Sequence, residues 1–114
     1  MKKAIISLIC AFAIGTDLFA QTENKKTETF KVYGNCNMCK GTIEGSLKKK
    51  DGVISKDWNT ETKMIKVSYD PSKITLAQIK EKIANVGYDC DSVRAKDEAY
   101  NKLMKCCQYE RQKK

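Results

Sequence analysis

Six cysteines and no histidine define the chemistry open to this chain of 114 residues. Two of the cysteines form the motif Cys36-Asn37-Met38-Cys39. A spacing of three lets both sulfurs point at one ion while the backbone turns between them. Two thiolates without imidazole suit a soft ion, with Cu(I) ahead of Zn(II). The same motif serves disulfide exchange or half of a zinc site, and outside the cytosol a structural disulfide competes with both. Spacing alone leaves these readings open.

Cys106 and Cys107 are adjacent. Their Cα atoms lie about 3.8 Å apart across a trans peptide, below the floor of roughly 4.4 Å for ordinary disulfides. They are therefore expected to be free, metal-bound or paired elsewhere. Cys90 is expected to be a small buried core residue. Trp58 and Tyr69 read as core or sheet-face aromatics, and Asp89 and Asp91 as solvated.

The elements that must position the thiols follow from periodicity. Residues 29–33 alternate as a strand, with Phe30 and Val32 on one face. The motif lies in the next loop, and a helix is expected from about 39 to 49, with Ile43 and Leu47 one turn apart. That puts Cys39 in the first helical turn, where free N–H groups and the dipole favour a thiolate. Residues 53–58 and 64–69 read as a hairpin. Thr75 and Gln78 form a capping-box signature that opens a second helix, which Gly87 ends. Residues 88–94 are expected to be a fourth strand and 97–104 a short helix. The order predicts an α+β, ferredoxin-like βαββαβ sandwich with a short C-terminal helical tail.

This topology makes a prediction for the vicinal pair. A fourth strand would carry the chain roughly 20 Å from the thiol end, and an antiparallel helix would recover about 12 Å. Cys106 and Cys107 then either return beside Cys36 and Cys39 or sit on an exposed, unattached tail.

Residues 1–20 read as a secretory signal peptide: Lys2 and Lys3, an apolar run, then Ala20 before Gln21. Residues 21–26 read as a flexible leader, 27–95 as the domain and 96–114 as the tail. The product is expected to be periplasmic or secreted, without stable membrane insertion after cleavage. Five cysteines then remain, an odd number, so at least one thiol is left for metal, for another chain, or free. The net charge of +8 is spread along the chain. It lacks the clustered Arg and aromatics of single-strand binders, so nucleic acid is not an expected partner. With no His, nucleophile elbow or phosphate-binding glycine loop, no catalytic constellation is present.

Together with the Cys-x-x-Cys loop Gly34-Asn35-Cys36-Asn37-Met38-Cys39, the stretches Gly52-Val53, Tyr69-Asp70-Pro71 and Gly87-Tyr88-Asp89 fall at the expected element boundaries. On these residues the chain resembles the heavy-metal-associated domain family over about residues 27–95. That family includes copper chaperones, modules of copper-exporting ATPases and periplasmic mercury-scavenging proteins. Its usual loop, Gly-Met-Thr-Cys-x-x-Cys, is shortened here and lacks the Met. The resemblance implies that Cys36 and Cys39 bind the metal and pass it on by thiolate exchange. It puts Tyr88 near the ion and Met38 in the space of the missing Met, both behind the ligands, with Cys106 and Cys107 as possible auxiliaries. Cu(I) is the expected ion, with Hg(II) and Zn(II) as alternatives. The expected partner is a membrane metal transporter or another metal-binding domain, and the chain acts as a monomer or a metal-bridged dimer. The competing function is a thiol–disulfide oxidoreductase, against which stands the single proline, Pro71.

Overall fold

Ile65, Val67 and Tyr69 alternate along the central strand, and the face they share is the floor of the core. A computed structural model of the chain describes residues 24–113. The expected signal segment, Cys10 and the first part of the expected leader lie outside the described residues. Strands β1 (Lys26–Lys31), β2 (Val53–Trp58) and β3 (Met64–Tyr69) form one antiparallel sheet in the order β1-β3-β2. Phe30 and Trp58 both stand opposite Ile65, one from each neighbour. Lys56, an unexpected cation in β2, donates its ammonium to the Leu47 carbonyl.

Helices α1 (Asn37–Gly45) and α2 (Leu76–Asn85) cover the floor with Ile43, Ile79 and Ile83, joined by Leu47 just beyond α1. Each such side chain, taken fully out of water, contributes about 1.5–3 kcal/mol. The capping box of α2 is complete: Gln78 N donates to Thr75 Oγ1 at 3.1 Å, and Thr75 N to Gln78 Oε1 at 2.9 Å. Helix α1 ends earlier than its periodicity predicts. Gly45 weakens it, and the Ser46 hydroxyl takes the Ile43 carbonyl at 2.7 Å. The chain then turns through a 3₁₀ segment at Lys49–Asp51.

The expected fourth strand does not form. It is reduced to one bridge between Val32 and Cys90, so the sandwich has a β-α-β-β-α core. Cys90 N bonds back to the Val93 carbonyl at 2.8 Å, and Lys80 holds the reversal through Asp91 and Ser92. A strand over 88–94 would also misplace Asp89, whose buried carboxylate accepts Ala95 N at 2.7 Å. The chain therefore turns back at once instead of crossing the molecule. It continues into α3 (Asp97–Asn101) and a second 3₁₀ segment at Lys105–Cys107. Gly87 makes room for this return. Its φ is +107°, and a Cβ there would lie 2.9 Å from the Ala99 carbonyl and 3.0 Å from Leu103 Cγ.

Candidate metal centre

Cys36 is the N-cap of α1, with extended backbone (φ −145°) and no side-chain capping bond, which leaves its sulfur free. Its carbonyl accepts from Lys40 N at 3.0 Å, the first bond of the helix. Cys39 follows in the first turn, fully buried, one turn before Ile43. The loop is held from below by Trp58, whose Nε1 donates to the Val32 carbonyl at 3.0 Å. Space above that indole is tight: a Cβ on Gly34 would lie 3.0 Å from Trp58 Cη2 and 3.3 Å from Cys39 Cβ, so a larger residue requires its neighbours to shift. Lys63, at the end of the β2–β3 turn with φ +64°, accepts from Val32 N on its carbonyl at 2.9 Å. Its ammonium donates to the Asn35 carbonyl at 3.3 Å.

The structure brings three of the four predicted thiols together. The sulfurs of Cys36, Cys39 and Cys107 all lie within 4.8 Å of one another, with Cys36 half-buried and the others buried. All five cysteines among the described residues are free thiols. Cys106 does not join the mutual cluster, although its sulfur lies beside that of Cys107. It is exposed, with Sγ 3.6 Å from Met38 Sδ and 3.9 Å from Cys107 Sγ. Met38 does not plug the loop. At the start of α1 the residue is 49% exposed, and its sulfur touches Cys106. Cys90 is buried as expected, with Sγ 3.8 Å from the Lys80 carbonyl. Burial, with the Asp91 charge, pushes its thiol up to about 12.

Tyr88 stands behind the sulfurs, fully buried. Its hydroxyl closes no hydrogen bond of ordinary geometry and faces the sulfurs of Cys39 and Cys107. Burial, reinforced by the Cys39 sulfur, drives its pKa well above the usual phenol value. Burial also opposes ionisation of Cys39. The Tyr88 hydroxyl and the backbone at Cys36 and Asn35 outweigh it and hold that thiol below its ordinary value, with Asn35 N 3.4 Å from the sulfur. Burial beside Cys39 pushes Cys107 up to about 12.

Sequence reasoning missed what holds the tail in place. Asp89, expected to be solvated, is 3% exposed and receives Arg111 through two bonds, Nε–Oδ2 at 3.0 Å and Nη2–Oδ1 at 2.8 Å. Tyr109 stacks on Tyr88 with ring centroids 5.6 Å apart. Its hydroxyl donates to the Gly87 carbonyl and accepts from Asp89 N, both at 2.8 Å. Tyr100 meets the Tyr109 ring edge-on and lies under the Arg111 guanidinium. The available signal was composition: among many lysines the chain has two arginines, Arg94 and Arg111, and both reach Asp89.

A β-α-β-β-α sandwich presenting paired thiols from the β1–α1 loop defines a metal-site class, and the comparisons name it. The model of the heavy-metal-associated domain matches residues 29–89, more than half the chain, and the chain belongs to that family. It is 42% identical over 63 residues to the copper chaperone CopZ of Staphylococcus aureus, covering 54% of this chain and 93% of that one. Oxidized MerP from Ralstonia metallidurans superposes with a TM-score of 0.55 at 28% identity, over 59% of this chain and 94% of MerP. A Cu(I)-loaded N-terminal domain of a potential copper-translocating P-type ATPase from Bacillus subtilis does so at 0.55 and 25% identity, over 63% and 99% of the two chains. The family match ends at residue 89, before the tail that carries Cys107.

Proposed function

We propose that this protein captures a soft metal ion, Cu(I) foremost, on Cys36 and Cys39 and hands it to a thiol-bearing domain of a membrane metal transporter. The observation that carries this is the placement of two free thiols at the start of α1, one buried, the other half-exposed. Copper chaperone and Cu(I)-loaded ATPase relatives support the choice of ion and of acceptor. Soft thiolates favour Cu(I) over the harder cations, and the absence of His removes the usual supplement for Zn(II). Hg(II) satisfies the same donors.

The chemistry is ligand exchange without redox change. Cys36, the more accessible sulfur, meets the incoming ion, and Cys39 closes on it. Each bound sulfur gives up its proton to solvent. The helix N-terminus and Asn35 N–H stabilise the resulting charge. In handover, an acceptor thiolate adds to the ion before Cys36 leaves and takes back a proton.

Anaerobic titration of the reduced chain with Cu(I) against a competing chelator tests the capture step. One tightly held ion per chain is expected. Failure to outcompete a weak chelator, combined with turnover of a disulfide substrate, would move the assignment to thiol exchange.

We place the working protein outside the cytoplasm on the strength of the 1–20 segment. Among the described residues no helix is long and apolar enough to cross a membrane. Fractionated cells expressing the full chain should yield, in the extracytoplasmic fraction, a product whose mass begins at or within about two residues of Gln21. An unprocessed cytoplasmic product would refute export.

A further inference from the structure

We infer that Cys107, brought in by the C-terminal tail, is a third ligand to the ion held by Cys36 and Cys39. This rests on the reading above that the Cys-x-x-Cys pair binds the ion, and it adds a donor from outside the family match.

The geometry is close to that of a finished site. Three sulfurs around one ion at about 2.3 Å lie about 4.0 Å from each other in a planar triangle. The three sulfurs here lie within 4.8 Å of one another without an ion, so small side-chain rotations close the triangle. The tail is tied to the loop at this point. Asn35 Nδ2 donates to the Cys106 carbonyl at 3.2 Å, and the Cys107 carbonyl lies 3.9 Å from Cys39 Sγ. Behind it, the Tyr88–Tyr109 stack and the Asp89–Arg111 pair fix the approach of the 3₁₀ turn.

A buried cysteine can be mere packing, but one whose sulfur lies within 4.8 Å of both sulfurs of the Cys-x-x-Cys pair is placed as a ligand. The Tyr88 hydroxyl is buried behind these sulfurs and closes no hydrogen bond of ordinary geometry. It faces the sulfurs of Cys39 and Cys107. Of the remaining thiols, Cys106 is exposed and lies beside Cys107 and Met38 without approaching all three sulfurs, and Cys90 bonds elsewhere.

Three thiolates select ions content with trigonal sulfur. Zn(II), which takes four ligands in closed sites, is disfavoured. Binding displaces three protons, one from each thiol. For Cu(I) the centre then carries two net negative charges, which Tyr88 O–H and Asn35 N–H are placed to offset. Handover to a two-thiol acceptor requires Cys107 to leave, so the tail holds the ion until a partner thiolate displaces it.

The test loads the reduced full chain anaerobically with one Cu(I) and counts sulfurs per copper by X-ray absorption, with sedimentation to establish the mass. Three sulfurs in a monomer are expected for the wild type and for Cys106→Ser, and two for Cys107→Ser. Affinity should fall at least about tenfold in Cys107→Ser and stay unchanged in Cys106→Ser. Near-ultraviolet circular dichroism reports whether each variant keeps its fold. The wild-type sulfur count stands even if Cys107→Ser does not. Two sulfurs in the wild type, three sulfurs only in a dimer, or full affinity in a folded Cys107→Ser would each overturn the inference while leaving the Cys36–Cys39 reading intact. No copper binding by the wild type would overturn both.

Discussion

Replacing Cys36 and Cys39 together by serine should weaken Cu(I) binding by at least about a thousandfold, or about 4 kcal/mol. Serine keeps the shape and removes the chemistry. Its oxygen is harder than sulfur and does not ionise near neutral pH, so neither condition for a soft-ion ligand survives. Cys106 and Cys107 remain with sulfurs 3.9 Å apart, but they lie on a short 3₁₀ turn without the helix N-terminus that favours thiolate at the motif. The fold should tolerate the change. Cys36 makes no capping bond through its side chain, so its replacement touches no helix contact. Cys39 is fully buried, and its serine hydroxyl retains Asn35 N–H as a donor, which keeps the cost near the typical 1 kcal/mol. Chelator competition under anaerobic conditions measures the affinity, and thermal unfolding checks the fold. Binding by the folded double variant within tenfold of wild type would mean that the ion sits elsewhere and would remove the proposed function.

Local signals in the sequence located the elements; they did not locate the contacts between distant ones. Alternation over Ile65, Val67 and Tyr69 and the Thr75–Gln78 box are short-range patterns, and each appears in the structure where the pattern places it. The thiol motif at the start of a helix is equally local. The 88–94 segment fails for a different reason. Its composition suits a strand, but the buried Asp89 draws Ala95 and Arg111 to itself, and that tertiary demand overrides propensity. The same carboxylate looked solvated because its partner is 22 residues away, and no periodicity links Asp89 to Arg111. The approach of Cys107 is legible only as one of two outcomes, and it comes by another route, because no fourth strand carries the chain away. The tail reaches the thiols by never leaving that end. Met38 and Cys106 illustrate the converse limit. Both stand next to a clustered cysteine in sequence, and both lie at the exposed edge of the cluster rather than in it.

Arg111→Ala should be the most damaging single change outside the thiols, costing about 3 kcal/mol, since it strips the main counter-ion from a buried carboxylate. Arg94 remains, but only at 3.9 Å from Asp89 Oδ2, and the Ala95 amide cannot neutralise a charge. The simplest escape is for the tail to detach and hydrate Asp89, exposing Tyr109 and carrying Cys107 away. Limited proteolysis should therefore cut the tail of the variant under conditions that spare the wild type, and Cu(I) affinity should fall as it does in Cys107→Ser. Arg111→Lys should restore little, because an ammonium cannot make the two parallel bonds. Acid gives an independent check. Burial alone would raise the pKa of Asp89, but Arg111, the Ala95 amide and Arg94 outweigh it and hold the carboxyl below its ordinary value. A depressed folded-state pKa adds stability that is fully present above the unfolded value of about 3.9 and is lost as pH falls through the folded value. Wild-type stability should thus decline below about pH 4, and Arg111→Ala, already without the pair, should decline less over the same range. Parallel acid curves for the two proteins, with the tail equally protected in both, would show that the Asp89–Arg111 pair does not hold the third thiol in place.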